Sequence, residues 1–449
     1  MTGKERVFNT LAGLPTDRLP WVPFAGVHAG KLVGYDAIQV STDVDALVEA
    51  ALEVNKVYQP DGQPIMFDLQ VEAEVLGCEL LWSEDSPPTV KTHPLGETTE
   101  IPTKIPTADE GRIKTHLDAI RRLKPLIGEN TALYGVCCGP FTLASHLRGT
   151  EIFMDMMLEP EYVHDLLAYS TEVIKAVSTY LVEAGIDVVA VVDPLVSQIS
   201  AAHFGEFMHT PFSDLFQHIR AQDAKSSFFV CGNATQNIEP MCKTKPDSMS
   251  VDENVSLKDA KVITDRYGVT IGGNIPLTSV MLFGTQQDNM KIVVDLIDSL
   301  PPGHLIISPG CDMPYDIPFE NSIAIEHAVH ETESARSMVS NYTKEEVEFT
   351  GVLPDYEHLE APLVEVFTLD SATCAACTYM LAAATDAVGV MGKGIDLVEY
   401  KYTTLQNIAR CRTMGVEKLP SIYINGKLQF SSIIPSREAL IAKIKKVSE

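Results

Sequence analysis

Between Met1 and residue 345 the chain alternates short apolar runs with longer amphipathic stretches, eight times over. This rhythm restricts the fold more than any other feature. Parallel strands need a crossover of a dozen or more residues, usually a helix, and repeated strand–helix units pack in only a few architectures. The candidate strands are 19–26, 63–69, 131–139, 187–194, 226–232, 249–253, 269–275 and 304–311. Helical intervals are typified by VDALVEAALEVNKVY and PEYVHDLLAYSTEVIKAVSTYLVEAG. Eight units predict an α/β protein built on a (β/α)8 TIM barrel. An open doubly wound sheet is the competing arrangement, and the missing G-x-G-x-x-G after the first strand counts against it.

Charge then divides the 449 residues. From Val364 onward ten Lys and Arg stand against eight Asp and Glu, whereas the preceding part holds 24 against 53. Between them EEVEFTGVLPDYEHLEAP is acidic, proline-bearing and aperiodic, as a linker is. The expected organisation is a barrel over 1–345, a linker over 346–363 and a small α/β domain over 364–449. A net charge of −27 argues against nucleic-acid and anionic-membrane partners, which require clustered Lys and Arg. No apolar run reaches the length of a membrane span, and MTGKERVFNTLAGLP is polar, so a cytoplasmic protein is expected. In a reducing compartment nine cysteines are metal ligands or redox centres rather than a disulfide scaffold.

A barrel carries its site at the C-terminal ends of the strands. Those ends hold His28, Asp68, Cys137, Cys138, Asp193, Cys231, Asp252, Glu253, Asn274 and Cys311. Cys78, Cys137, Cys138 and Cys242 read as packed core thiols. Cys231 and Cys311 differ, because each ends a strand beside a glycine. Phe229 shares a strand face with Cys231. A histidine at 229 would make the pair a two-ligand zinc clip.

The stretches FDLQVEAEVLGCE (67–79), GPFTLASHLRG (139–149), DPLVSQISAAHFGEF (193–207), CGNATQNIEPM (231–241), GGNIP with a later FGT (272–285) and SPGCDMPYDIPFEN (308–321) together resemble the uroporphyrinogen decarboxylase superfamily. The resemblance covers nearly all of residues 1–340. It implies one of two chemistries. Tetrapyrrole decarboxylation is the first. It keeps an arginine-rich M-R-Q-A-G-R after the first strand, where this chain has PFAGVHAG, and it needs cations for its propionates. Asp68 and Ser200 match that branch; its tyrosine and histidine align with His146 and Cys311. Cobamide-dependent methyl transfer is the second. That branch binds zinc through H-x-C on the fifth strand and a cysteine on the eighth, and Cys231 and Cys311 match the two cysteines. Bound zinc lowers the pKa of a ligated thiol and makes it a nucleophile at neutral pH.

The resemblance to the second branch therefore implies a corrinoid-dependent methyltransferase. It would use a methylcobamide, free or on a corrinoid protein, and a small-molecule methyl donor or acceptor. Cys231, Cys311, Asp68 and His146 would be catalytic; His28, Glu74, Asp193, Ser200 and Asn274 would line the substrate site. Phe229 replaces the metal histidine, and a catalytic zinc usually has three protein ligands. Glu74 or His146 would have to supply the third ligand, with His28 and Asp68 behind them. Otherwise the two cysteines form a bare dithiol or take a softer metal. The EAE of VEAEVLG also reads as a solvated helix start. A redox protein that binds a tetrapyrrole or thiol without moving a methyl group stays open beside the methyltransferase. A homodimer is allowed.

Residues 364–449 order as strand, helix, strand, helix, hairpin, helix. Cys374 and Cys377 form C-A-A-C after a strand at a helix start, where the macrodipole favours a thiolate. This segment resembles a thioredoxin- or glutaredoxin-like domain, in which Leu419-Pro420-Ser421 matches the cis-proline beside the dithiol. Cys374 would attack and Cys377 resolve. Cys411 reads as a packed thiol.

Overall fold

The computed structural model describes residues 1–343, 347–372, 375–392 and 394–448. The chain divides into two compact units: Met1–Val196 with Ser200–Tyr342, and Ser197–Ile199 with Thr343–Glu449.

The large unit is a curled parallel sheet in sequence order. Its strands are β1 (Gly62–Pro64), β2 (Ala132–Cys138), β3 (Val188–Val192), β4 (Lys225–Val230), β5 (Ser248–Val251), β6 (Thr270–Ile275) and β7 (Leu305–Pro309). The first expected strand, 19–26, is reduced to one parallel bridge between Trp21 and Ile307. Pro20 and Pro23 lack the N–H groups that a ladder needs. The segment still closes the ring. Val22 N donates to Ile307 O on one side, and Asp61 N and Gly62 N donate to Trp21 O on the other. Residues 20–22 thus take the eighth strand position of a TIM-type barrel.

Helices alternate with these strands: α1 (Gly3–Leu11), α2 (Val44–Tyr58), α3 (Gly111–Ile127), α4 (Pro140–Arg148), α5 (Pro160–Ala184), α6 (His209–Arg220), α7 (Leu257–Tyr267), α8 (Gln286–Ser299) and α9 (Phe319–His330). The two helical patterns singled out in the sequence become α2 and α5. Asp43 caps α2 by accepting from the Asp45 and Ala46 amides, and Gly185 ends α5 in the left-handed conformation. At the N-terminal end of the barrel the buried Asp61 carboxylate accepts from Arg6, Arg18 and the Trp21 amide, which holds the closing segment in place.

The small unit has a four-stranded sheet ordered β9 (Asp396–Lys401), β8 (Leu363–Thr368), β10 (Ser421–Ile424) and β11 (Lys427–Ser431). β8 and β9 are parallel; β10 runs antiparallel to β8 and to β11. Its helices are α10 (Ala375–Met391), α11 (Leu405–Met414) and α12 (Arg437–Ser448). Val364, Val366, Met380, Ala384, Ile422, Ile424, Leu440 and Ile444 form the core. On β8, Glu365 points into the interior fully buried, where Arg410 Nη2 and the Tyr356 hydroxyl donate to it at 3.0 Å each. No helix or strand occurs between residues 347 and 362.

Candidate functional site

β4 and β7 carry the two cysteines to one point. Cys231 follows Val230, and Cys311 follows Pro309 and Gly310. Their Cα atoms are 5.9 Å apart and their sulfurs are bonded to each other. Both residues are half-buried and rest on the barrel interior, where an aromatic cluster fills the space beneath them. Phe229 lies at its centre with no exposed surface, 4.7 Å from Phe24 and 5.5 Å from Phe67, the latter edge-to-face. Strand alternation does aim Phe229 and Cys231 to the same side, and the side chain at 229 brings hydrocarbon there rather than a donor.

The carboxylates of the mouth are largely committed. Asp68, just beyond β1, pairs with Arg112 from the first turn of α3, and its Oδ1 accepts from the Gln70 amide at 2.9 Å. The same guanidinium gives its Nε–H to Glu74 at 2.7 Å and stacks 4.9 Å over the Trp82 ring. Glu74, expected as a third metal ligand, is thus held by Arg112. His146 sits buried on α4 with Nδ1 lacking a hydrogen-bond partner, and burial pushes its pKa down to about 4. Among the described residues no three His, Cys, Asp or Glu side chains converge on a common point that could hold a metal ion. The zinc set expected from the sequence is therefore not assembled by these donors.

The expected substrate-lining residues have structural partners. His28 donates through Nδ1 to the Tyr315 carbonyl at 3.0 Å, so its Nε2 accepts from the Tyr58 hydroxyl at 2.7 Å. Burial pushes its pKa down to about 4, which leaves it a neutral latch. Asp193 caps α4: its carboxylate accepts from the Phe141 and Thr142 amides and the Thr142 hydroxyl. Gly139 is required there, because a Cβ would lie 2.3 Å from Asp193 Oδ2. Burial nevertheless raises the Asp193 pKa to about 7. Ser200 Oγ caps Ala201–His203 by accepting from the His203 amide. Asn274 Nδ2 donates to the carbonyls of Asp252 and Val255, tying the end of β6 to the loop after β5.

Three residues that the sequence reading did not single out complete the mouth. Arg112 is the first, and nothing in its amphipathic helix distinguishes it. Glu72 is the second. The EAE segment is not a solvated helix start at this position, since Glu72 is only 2 % exposed. Its Oε1 accepts from the Cys138 amide at 3.3 Å, its Oε2 has no hydrogen-bond partner, and burial raises its pKa to about 7. Asp312 is the third, and its place directly after a strand-end cysteine was the available signal. Burial and then the nearby Asp68 carboxylate hold it far above the usual carboxylate range. Its Oδ1 would be 2.1 Å from a Cβ at position 26, so Gly26 provides the room it occupies.

In the small unit Cys377 is buried and its sulfur accepts from the Leu369 amide at 3.3 Å. The Leu419–Pro420 peptide is cis. Cys374 lies outside the described residues.

The model of the uroporphyrinogen decarboxylase (URO-D) family matches residues 2–332, nearly the whole barrel. The chain belongs to this family. A thioredoxin domain model matches residues 363–445. Among curated URO-D relatives, the methylcobamide:CoM methyltransferase MtbA of Methanosarcina acetivorans is 28 % identical over 318 residues, covering 69 % of this chain and 92 % of the relative. MtaA of Methanosarcina barkeri, also a methylcobamide:CoM methyltransferase, is 26 % identical over 336 residues, covering 72 % and 96 %. The uroporphyrinogen decarboxylase of Nostoc punctiforme is 24 % identical over 286 residues, covering 62 % and 80 %. Among solved structures, a methyltransferase from Methanosarcina mazei superposes with a TM-score of 0.68 at 23 % identity, covering 74 % of this chain and 99 % of that one. That superposition establishes the shared barrel. Among the described residues no helix is long and apolar enough to cross a membrane.

Proposed function

We propose that this URO-D family member is a cytoplasmic, corrinoid-dependent methyltransferase. It moves a methyl group between a methylcobamide and a thiol or other small acceptor at the Cys231–Cys311 mouth. The observation that carries the reading is the pair itself: two cysteines from β4 and β7, joined at the catalytic end of a barrel whose relatives include named methylcobamide:CoM methyltransferases. The decarboxylase alternative needs spare cations for a poly-anionic substrate. In this mouth Arg112 is already divided between Asp68 and Glu74, and PFAGVHAG contributes none.

The chemistry places demands on these residues. Methyl transfer to a thiol forms a C–S bond as the Co–C bond breaks, and the electron pair stays on cobalt. The acceptor sulfur must reach the methyl group as a thiolate, so the mouth has to take up a proton. The aromatic floor of Phe24, Phe67 and Phe229 excludes water from below the sulfurs. A corrinoid protein or free cobamide would approach from the open side. The thioredoxin-like domain would supply reducing equivalents, and the linker raises its effective concentration at the mouth.

Methylcobalamin titration tests the reading. Addition of a thiol should bleach the Co–CH₃ absorbance at a rate that depends on the reduced enzyme and is lost in C231S/C311S. Tight binding without bleaching would instead support a tetrapyrrole- or thiol-binding redox protein.

A further inference from the structure

We infer that Cys231 and Cys311 form a two-electron redox centre at the place where a metal would sit, cycling between disulfide and dithiol in exchange with a dithiol reductant. The metal-free redox character stands whether or not methyl transfer is the reaction. Its consequence for the barrel, that the disulfide form is switched off, rests on the methyl-transfer reading.

Four observations converge. The position beside Cys231 on the strand face is filled by Phe229, locked between Phe24 and Phe67 with no exposed surface. Asp68 and Glu74 are engaged with Arg112, His28 with Tyr58 and Tyr315, and Asp193 with the α4 cap; His146 Nδ1, Glu72 Oε2 and Asp312 Oδ1 have no hydrogen-bond partner, but among the described residues no three such donors come together at one point. The two sulfurs therefore stand one short of the protein ligands that a catalytic zinc usually has. The Cα separation of 5.9 Å falls inside the range that a disulfide spans without backbone movement. Finally, these are the accessible thiols of the barrel. Cys78, Cys137, Cys138 and Cys242 are buried, and burial pushes Cys78 and Cys242 up to about 12 and holds Cys137 and Cys138 well above the usual thiol value. Cys231 and Cys311 are half-buried. Exchange needs a thiolate and access, so the barrel concentrates its thiol reactivity in this one pair.

The cycle balances within two dithiols. A thiolate of the reductant attacks one sulfur of the bridge, the S–S bond breaks, and the departing sulfur takes a proton. The reductant's second thiolate then attacks the reductant's own first sulfur in the mixed disulfide, which breaks its bond to the barrel and releases the second cysteine, also protonated. Two electrons and two protons enter the barrel pair, and the reductant leaves as a disulfide. In the bridged form neither sulfur can accept a methyl group or bind a metal.

The test uses the full chain and needs no methyl donor. Protein reduced with dithiothreitol is incubated with zinc, desalted and assayed for metal, beside F229H and C231S. The wild type should retain no stoichiometric zinc, whereas F229H, with a third donor in place, should retain about one per chain. In dithiothreitol redox buffers, alkylation and peptide mass spectrometry should show Cys231 and Cys311 passing together between the bridged and doubly alkylated forms. Stoichiometric zinc in the reduced wild type, lost in C231S, would overturn the inference, as would a pair that never bridges across the buffer series. A folded F229H that takes up no zinc would also count against it, because the missing donor would not be what excludes the metal. Since none of these readouts involves methyl transfer, failure of the methylcobalamin experiment leaves them standing.

Discussion

Replacing Glu72 with glutamine should stabilise the barrel in alkaline solution and leave it unchanged in acid. The carboxyl is 2 % exposed, accepts one 3.3 Å bond from the Cys138 amide and leaves Oε2 without a partner. Burial therefore holds its proton in the folded state up to about pH 7, while the unfolded chain releases it near 4.5. Between those values the folded state binds more protons, so stability falls as pH rises and levels off above 7. At about 1.4 kcal/mol per pH unit, the span corresponds to a cost of about 3 kcal/mol at pH 8. Glutamine carries no charge and avoids that cost, so E72Q should exceed the wild type by up to about 3 kcal/mol at pH 8 and match it below pH 5. The protein's two tryptophans, Trp21 and Trp82, both lie in the barrel, so their fluorescence in urea reports that unit alone. With an m-value near or above about 3 kcal/mol/M, the midpoint should rise by up to about 1 M at pH 8. A midpoint difference independent of pH would refute the reasoning. So would a wild type that gains on E72Q as pH rises, since Arg112 would then be stabilising the Glu72 carboxylate.

Three further perturbations probe the supports of the mouth and the small unit. D193A removes the acceptor for two amides and a hydroxyl at the start of α4, and should cost about 2–3 kcal/mol in the same fluorescence assay. G26A places a Cβ 2.1 Å from Asp312 Oδ1 and should lower barrel stability by about 1–3 kcal/mol, with most of the loss recovered in G26A/D312A. R410M leaves the fully buried Glu365 without its cation and should cost the small unit about 3–5 kcal/mol. Far-UV circular dichroism should show that loss as an earlier transition to which tryptophan fluorescence is blind.

The sequence exposed what depends on local pattern and concealed what depends on distant pairing. α2 and α5 were legible almost to their ends, because each is a long amphipathic run with a cap: Asp43 before one, Gly185 after the other. The buried strands β2 to β7 were legible as apolar runs bounded by turns. The expected strand 63–69 shrank to Gly62–Pro64, since the chain turns by Asp68 to accept the Gln70 amide. Reading strand ends located Cys231 and Cys311, because a barrel brings every strand end to one face. What became of the other donors could not be read. Arg112 reaches Asp68 from 44 residues away, and no local pattern marks that pairing. Glu72 and Glu74 are two residues apart on one short helix, yet Glu72 is buried and Glu74 half-buried against Arg112. A helix of five residues is too short for periodicity to tell the inner face from the outer.

Phe229 and the cysteine bridge are two consequences of one change in the donor set. An imidazole at position 229 would be enclosed by Phe24 and Phe67, and without a metal its nitrogens would be buried with nothing to bond. Phenylalanine carries no such requirement and gains from edge-to-face contact with Phe67. Removing the metal also removes the cation that would have held two thiolates in a strongly acidic mouth. Asp312 adjoins Cys311, and Asp252 accepts from the amide of Gly232 beside Cys231. Two free thiolates there would be half-buried with no metal cation to offset their charge, which disfavours ionising both. Neutral thiols and a disulfide avoid that cost, and they are the two resting states of a dithiol cycle. The buried carboxyls of Glu72 and Glu253 at the strand ends are held above their usual range by burial, to about 7 and about 8, and so can exchange a proton near neutral pH.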